Sequence, residues 1–339
     1  MPIILERKAF IGRKEHSARK GKSHAKIILI GEHSVVYGQP AIALPLSAVT
    51  VTATLKPLPA NNQLIKSSYY DGPLTTAPQS MLGITNLIKF MLAKANQPQL
   101  GFCLEINSQL PAERGMGSSA AVTIAIIRAF AAYFAWNLSR PQLLKLAQLA
   151  EKETHKNPSG LDAATSASLK PIWLIRNQEM YPLKIALDAY LLIADSGIKG
   201  QTKQAVSLVK EKLVNDPSST QGQIQALGAL AHLARKQLAH NDVLGLGQTF
   251  NQAQSHLQAL GVSSKELDNF ISLSLNNGAL GAKLTGGGRG GCFICLVKDQ
   301  ATAQNLATVL KEHGVTQTWL QPLTNLEEFS NEENGPRPH

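Results

Sequence analysis

The sequence predicts an α+β fold in two domains. Strand-like and helix-like segments are mixed without a steady β-α-β-α beat, the 339 residues suffice for two medium cores, and a natural boundary lies near Ala167 to Lys170. With 44% hydrophobic residues the composition is that of a globular protein.

Lys26-Ile27-Ile28-Leu29-Ile30 is a compact β-rich run, and a loop begins after it at Gly31-Glu32-His33. Ala41 to Leu55 alternates β-branched and small residues as a strand does, until Lys56-Pro57-Leu58-Pro59 breaks the pattern. A helix is predicted from about Pro78 to Ala95 and a strand over Gly101 to Ser108. A long apolar helix from Ala120 ends near Asn137, and Ser139 offers an N-cap to the next, Arg140 to Thr154, with Leu143, Leu144, Ala147 and Ala150 on one face. Asn157-Pro158-Ser159-Gly160 is a turn, followed by the small-residue segment from Leu161. Strands are expected at Ile172 to Ile175 and Tyr190 to Ala194. Helices should follow within Thr202 to Val214, Gln221 to Leu238, Val243 to Leu260 and Ser264 to Leu275. Ala282 to Thr285, the glycines of Gly286 to Gly291 and the apolar run from Cys292 form a strand-turn-strand unit. A helix over Thr302 to His313 and a strand over Val315 to Leu320 complete the order.

The stretch Pro111-Ala112-Glu113-Arg114-Gly115-Met116-Gly117-Ser118-Ser119, running into the apolar helix, reads as a phosphate cradle. Glycines let backbone approach an oxyanion, and amides at a helix start together with the helix dipole favour negative charge. Two familiar alternatives fit poorly. A dinucleotide fingerprint wants an acidic residue about 20 positions on, and no Asp or Glu lies between Arg114 and Ala150. Gly21-Lys22-Ser23 ends like a Walker loop, but His16 stands where that loop needs glycine.

Net charge is +10, and half of it sits in residues 1–22, where seven Lys and Arg face two Glu. That distribution describes a flexible basic leader better than a nucleic-acid surface. The polar tail from Asn331 should be disordered. Thr123, Arg128 and Asn137 interrupt the apolar run Ala120 to Leu138, which argues against a membrane span. No signal peptide is visible, so a cytoplasmic location is expected. Cys103, Cys292 and Cys295 form no even framework, and Cys292-Phe293-Ile294-Cys295 lies in an apolar run without a second pair, so it reads as buried strand rather than a metal or redox site.

Three motifs stand in order: Lys26 to Gly38 with Gly31-Glu32-His33-Ser34-Val35-Val36-Tyr37-Gly38, the Gly115 to Ala121 loop, and Lys283-Leu284-Thr285-Gly286-Gly287-Gly288-Arg289-Gly290-Gly291-Cys292. Together they resemble the GHMP kinases, small-molecule kinases named for galactose, homoserine, mevalonate and phosphomevalonate, over roughly Ser23 to Leu320. Within that superfamily the first motif, and Glu151 followed by Asp162, look like the mevalonate kinase branch. Gly287 stands where alanine is frequent, and Arg289 occupies a variable slot.

The resemblance implies a two-domain GHMP fold, with a left-handed βαβ unit in the N-terminal domain (23–168) and a ferredoxin-like C-terminal domain (169–325), between the leader 1–22 and the tail 326–339. It implies ATP-dependent phosphorylation of the C5 hydroxyl of (R)-mevalonate, with Mg2+ as cofactor and ATP and mevalonate as partners. No nucleic acid or membrane is expected, and a homodimer is left open. Residues Pro111 to Ser119 would bind ATP, Ser119 and Glu151 the metal, Asp162 would be the catalytic base and Lys26 its cationic neighbour. Glu32, His33 and Ser196, with Lys26 and Asp162, would face the substrate, and Gly286, Gly287, Gly288, Gly290 and Gly291 would form a structural turn. Taken singly, the same residues read otherwise: Ser119 as a helix-start serine, Glu151 as a solvated helix end, Asp162 as a cap, Lys26 as a strand-edge residue, His33 as packing. A catalytically silent relative acting as a metabolite sensor is a rival reading, but it has no chemical need for Lys26, Ser119, Glu151 and Asp162 together.

Overall fold

A computed structural model describes residues 17–111, 114–154 and 160–324. They fall into two compact units. The first holds the residues up to Ala25, Val49–Pro111 and Gly117–Ala167; the second holds Lys26–Ala48, Ala112–Met116 and everything from Ser168. The units are therefore interleaved along the chain, with the last changeover between Ala167 and Ser168. The leader up to residue 16, Ala112 and Glu113, the turn 155–159 and the tail from 325 lie outside the described residues.

The first unit takes the start of β1 (Arg19–Ile30), the end of β2 (Pro40–Leu58), β3 (Gln63–Lys66), β4 (Asp71–Pro73), α1 (Leu82–Lys94), β5 (Gly101–Ser108), α2 (Ser118–Phe134), α3 (Arg140–Thr154) and α4 (Leu161–Ser166). β5 pairs antiparallel with Val51–Leu58 of β2 and parallel with β3, and β4 pairs antiparallel with β3. The parallel β3/β5 pair needs a crossover, which α1 supplies. β1 begins at Arg19, inside the stretch whose charge marks a leader. α2 is buried on most sides because it is apolar on most sides; Phe130 meets Phe102 of β5 edge-on at 5.5 Å. It stops at Phe134 because Ala135 takes the left-handed conformation. Arg128, the charge within this run, donates to the carbonyls of Lys22 at 2.7 Å and Ala167 at 3.2 Å. Ahead of α3, the Ser139 amide and hydroxyl both donate to the Gln142 side chain, the reverse half of a capping box.

In the second unit, β6 (Ile172–Ile175) pairs antiparallel with Pro40–Ala43 of β2 and with β7 (Glu179–Pro182). Then come β8 (Tyr190–Asp195), α5 (Thr202–Asn215), α6 (Pro217–Ala239), α7 (Val243–Ala259), α8 (Lys265–Asn276), β9 (Gly281–Leu284), β10 (Cys292–Val297), α9 (Gln300–Glu312) and β11 (Gln317–Pro322). The four-stranded antiparallel sheet has the order β11-β8-β10-β9, the split βαβ arrangement of a ferredoxin-like fold. Side chains of Asp216, Asp242, Ser264 and Asp299 accept amide hydrogen bonds at the starts of α6, α7, α8 and α9, which is why those helices begin where they do. All three cysteines are free and buried. In β10, burial pushes the Cys295 thiol up to about 12 and raises Cys292 as well, so both are inert packing residues.

Candidate active site

Within the first unit the relevant side chains sit on α2, α3 and α4, which pack on one another. α2 starts at Ser118 behind Gly117, whose φ of 71° is left-handed, with no side chain capping it and no acid in its first turn. Its first amides are therefore not spent on a cap. Ser118 is half-buried and Ser119 exposed. Glu151, on α3, is 8% exposed, so it is a buried carboxylate rather than a solvated helix end. Asp162 lies partly buried in the first turn of α4, where Gly160 holds the N-cap position. The Arg140 guanidinium donates to the Ala164 carbonyl at 3.3 Å and ties α3 to α4.

Within the second unit the other predicted residues converge around the end of β1. The Lys26 amide donates to the Met116 carbonyl at 3.0 Å and its ammonium to the Gly115 carbonyl at 3.3 Å. The end of the glycine loop is thus fixed to β1. Arg114, expected to bind ATP, turns its guanidinium to Asp195 at 2.9 Å and to the Gly197 carbonyl at 3.1 Å. Its own carbonyl accepts from the Cys292 amide at 3.2 Å. This residue anchors the loop.

Glu32 and His33, expected to shape a substrate pocket, are also engaged with the protein. Glu32 is fully buried and pairs with the ammonium of Lys283, itself fully buried. Burial raises the Glu32 carboxyl and lowers the Lys283 ammonium, and each partner opposes the other's shift. His33 takes a left-handed φ of 59° and is 7% exposed. Its Nε2 lies 3.0 Å from the Gly287 carbonyl, and burial lowers its pKa to about 4, so the neutral ring donates there. The Ser196 hydroxyl donates to the Gly291 carbonyl at 2.7 Å, which ties β8 to the glycine turn.

In that turn Gly286, Gly288, Gly290, Gly291 and Arg289 all have positive φ. Gly287 does not, yet a Cβ there would lie 2.2 Å from the Thr202 Oγ1 and 2.8 Å from the Thr202 Cα. Thr202 leaves no room for alanine.

Two residues that matter here escaped the sequence reading as individuals: Lys283 and Asp195. The signal for Lys283 was a lysine inside an otherwise apolar strand, Ala282-Lys283-Leu284, which must either snorkel or find a buried counter-charge. Among the described residues no cluster of three or more His, Cys, Asp or Glu could hold a metal, and no helix is long and apolar enough to cross a membrane.

Residues 84–169 match the family model of the GHMP kinases N-terminal domain, and residues 234–316 that of the GHMP kinases C-terminal domain. A mevalonate kinase of Pyrococcus furiosus is 30% identical over 313 residues, covering 86% of this chain and 92% of its own. One from Aeropyrum pernix is 28% identical and matched over 92% of this chain and 99% of its own. Among solved structures, a mevalonate kinase from methicillin-resistant Staphylococcus aureus superposes with a TM-score of 0.72 at 30% identity, covering 91% of this chain and 99% of its own.

Proposed function

From the premise that this chain belongs to the mevalonate kinase family of the GHMP kinases, we propose the following assignment of its site. The reaction is transfer of the γ-phosphoryl group of ATP to the C5 hydroxyl of (R)-mevalonate, giving 5-phosphomevalonate and ADP, a step of the mevalonate pathway of isoprenoid biosynthesis. We place it in the cytoplasm, with 23–168 and 169–325 as its family domains.

Phosphoryl transfer asks a protein mainly for positioning and for neutralising charge. Backbone amides along Gly115 to Ser119 hold the phosphates, helped by the uncapped start of α2. The hydroxyl of Ser119 and the carboxylate of Glu151 are hard oxygen donors of the kind Mg2+ accepts beside phosphate and water; they would hold it, and when bound it neutralises phosphate charge. Asp162 receives the proton of the C5 hydroxyl. The Lys26 ammonium, fixed beside the glycine loop, supplies positive charge to the transferring group. Glu32 and His33 shape the alcohol pocket from within the protein, and Ser196 acts through the glycine turn.

The observation that carries the proposal is the span of the match: a mevalonate kinase aligns over 86% of this chain and 92% of its own length. The test is ADP release with ATP and Mg2+ against mevalonate, phosphomevalonate, homoserine and galactose. Turnover is expected with mevalonate; turnover confined to another alcohol would overturn the substrate and keep the fold. In the same assay Asp162→Asn should lower turnover by about 10³-fold with little change in ATP KM, and turnover like the parent's would remove Asp162 from the mechanism.

A further inference from the structure

Alternate residues leading into the glycine turn reach back to the first motif. The Lys283 ammonium pairs with the Glu32 carboxylate. The Thr285 hydroxyl donates to the Ile28 carbonyl at 2.8 Å and accepts from the Ile28 amide at 3.1 Å. The Gly287 carbonyl takes the His33 ring. Lys283, Thr285 and Gly287 thus each tie the stretch running from β9 into the glycine turn to the end of β1 and the loop behind it.

The pair at Lys283 is the least expected of these tethers. Both side chains have 0% exposure, and the ammonium also donates to the Leu284 carbonyl at 2.7 Å. Stripping two ions of water is costly, and a packed apolar pair usually stabilises a core as well or better. What an ion pair adds is one geometry. The segment it holds needs one: His33, next in sequence to Glu32, is a non-glycine residue in the left-handed region. Such a conformation persists where the surroundings over-determine it, and it concentrates at functional sites.

We propose that Lys283 is a positioning residue of the alcohol pocket, acting through its buried ion pair with Glu32 to fix the Glu32–His33 segment rather than by touching substrate. This rests on the assignment of that segment to the alcohol pocket. The side chain is sealed off from solvent and its hydrogen bonds go to Glu32 and Leu284, so its influence reaches a substrate only through what it holds.

A double-mutant cycle tests it, reading kcat and KM for each substrate and the melting temperature. Lys283→Met should lower kcat/KM for mevalonate by about 100-fold, the scale of a misplaced pocket, and leave the ATP KM within about twofold. It also leaves Glu32 buried without its counter-charge, so the melting temperature falls. The neutral pair Glu32→Gln with Lys283→Met should recover the melting temperature but not kcat/KM, and should be no worse than the poorer single variant, because both changes act on one tether. Recovery of kinetics together with stability would make the pair a merely structural element and overturn the proposal, as would parent-like kcat/KM in Lys283→Met. If that single variant does not fold, the neutral pair decides alone. Parent turnover on the four alcohols is measured first. A parent inactive on mevalonate fails the functional reading, and the cycle is then read on whichever alcohol it does accept.

Discussion

Burial lowers the His33 imidazole to about 4, while in the unfolded chain it titrates near 6.5. Between those values the unfolded state binds more protons than the native one, so unfolding free energy rises with pH there. The contribution of His33 is fully present above about pH 6.5 and is lost as pH falls toward 4, on the order of 3 kcal/mol. Urea unfolding of the parent and of His33→Gln between pH 7 and 4.5 should show a slope in the parent that the variant reduces. Equal slopes would mean that the ring is not neutral in the folded protein. At this scale the sequence was legible in part. The types at Glu32, His33 and Lys26 marked a motif, but nothing local in Gly31-Glu32-His33 reveals that the Glu32 counter-charge is Lys283, 251 residues away. Arg114 is a like case: its partner Asp195 is 81 residues on, and a cation beside a glycine loop reads more naturally as a phosphate ligand.

Elements with an apolar run or period were legible even when short, as β6 and β9 were, and short elements with polar residues were not. α3 and β5 begin and end where the pattern places them. β3, β4 and β7 have four, three and four residues and include Gln63, Lys66, Asp71 and Glu179, so no alternation marks them. Their pairing is decided by neighbours, β5 in one case and β6 in the other. The glycine turn between β9 and β10 was legible as a turn, but the reason for glycine at 287 was not. It lies in the start of α5, where Thr202 Cα would sit 2.8 Å from a Cβ. Gly287→Ala should therefore cost about 1–3 kcal/mol, lowering the melting temperature. Adding Thr202→Ala should restore only part of the loss, because the Thr202 backbone stays. Full restoration by the second change would show that the hydroxyl alone makes the conflict.

Composition, a mixed element order and three motifs were enough for the fold class at the scale of the whole molecule, because each reports on many residues at once. The interleaving of the two units was not legible, since it depends on contacts between distant segments. Residues Lys26–Ala48 and Ala112–Met116 belong to the same unit as everything from Ser168. Pro40–Ala43 pairs with Ile172–Ile175, Glu32 with Lys283, and Arg114 with Asp195. A fragment ending at Ala167 would keep these two segments and lose every one of those partners. It would bare the strand around Ile42, which has 0% exposure in the whole protein, and leave Glu32 and Arg114 without their counter-charges. A strand edge with unpaired amides is an aggregation site, and packing of this kind stabilises only when both sides are present. The fragment 17–167 should therefore show no cooperative thermal transition and should associate, whereas the full chain melts cooperatively. Circular dichroism and sedimentation would check this. A monomeric fragment with a sharp transition would mean that the first unit folds alone, and that the segments it carries for the second can remain unstructured without cost.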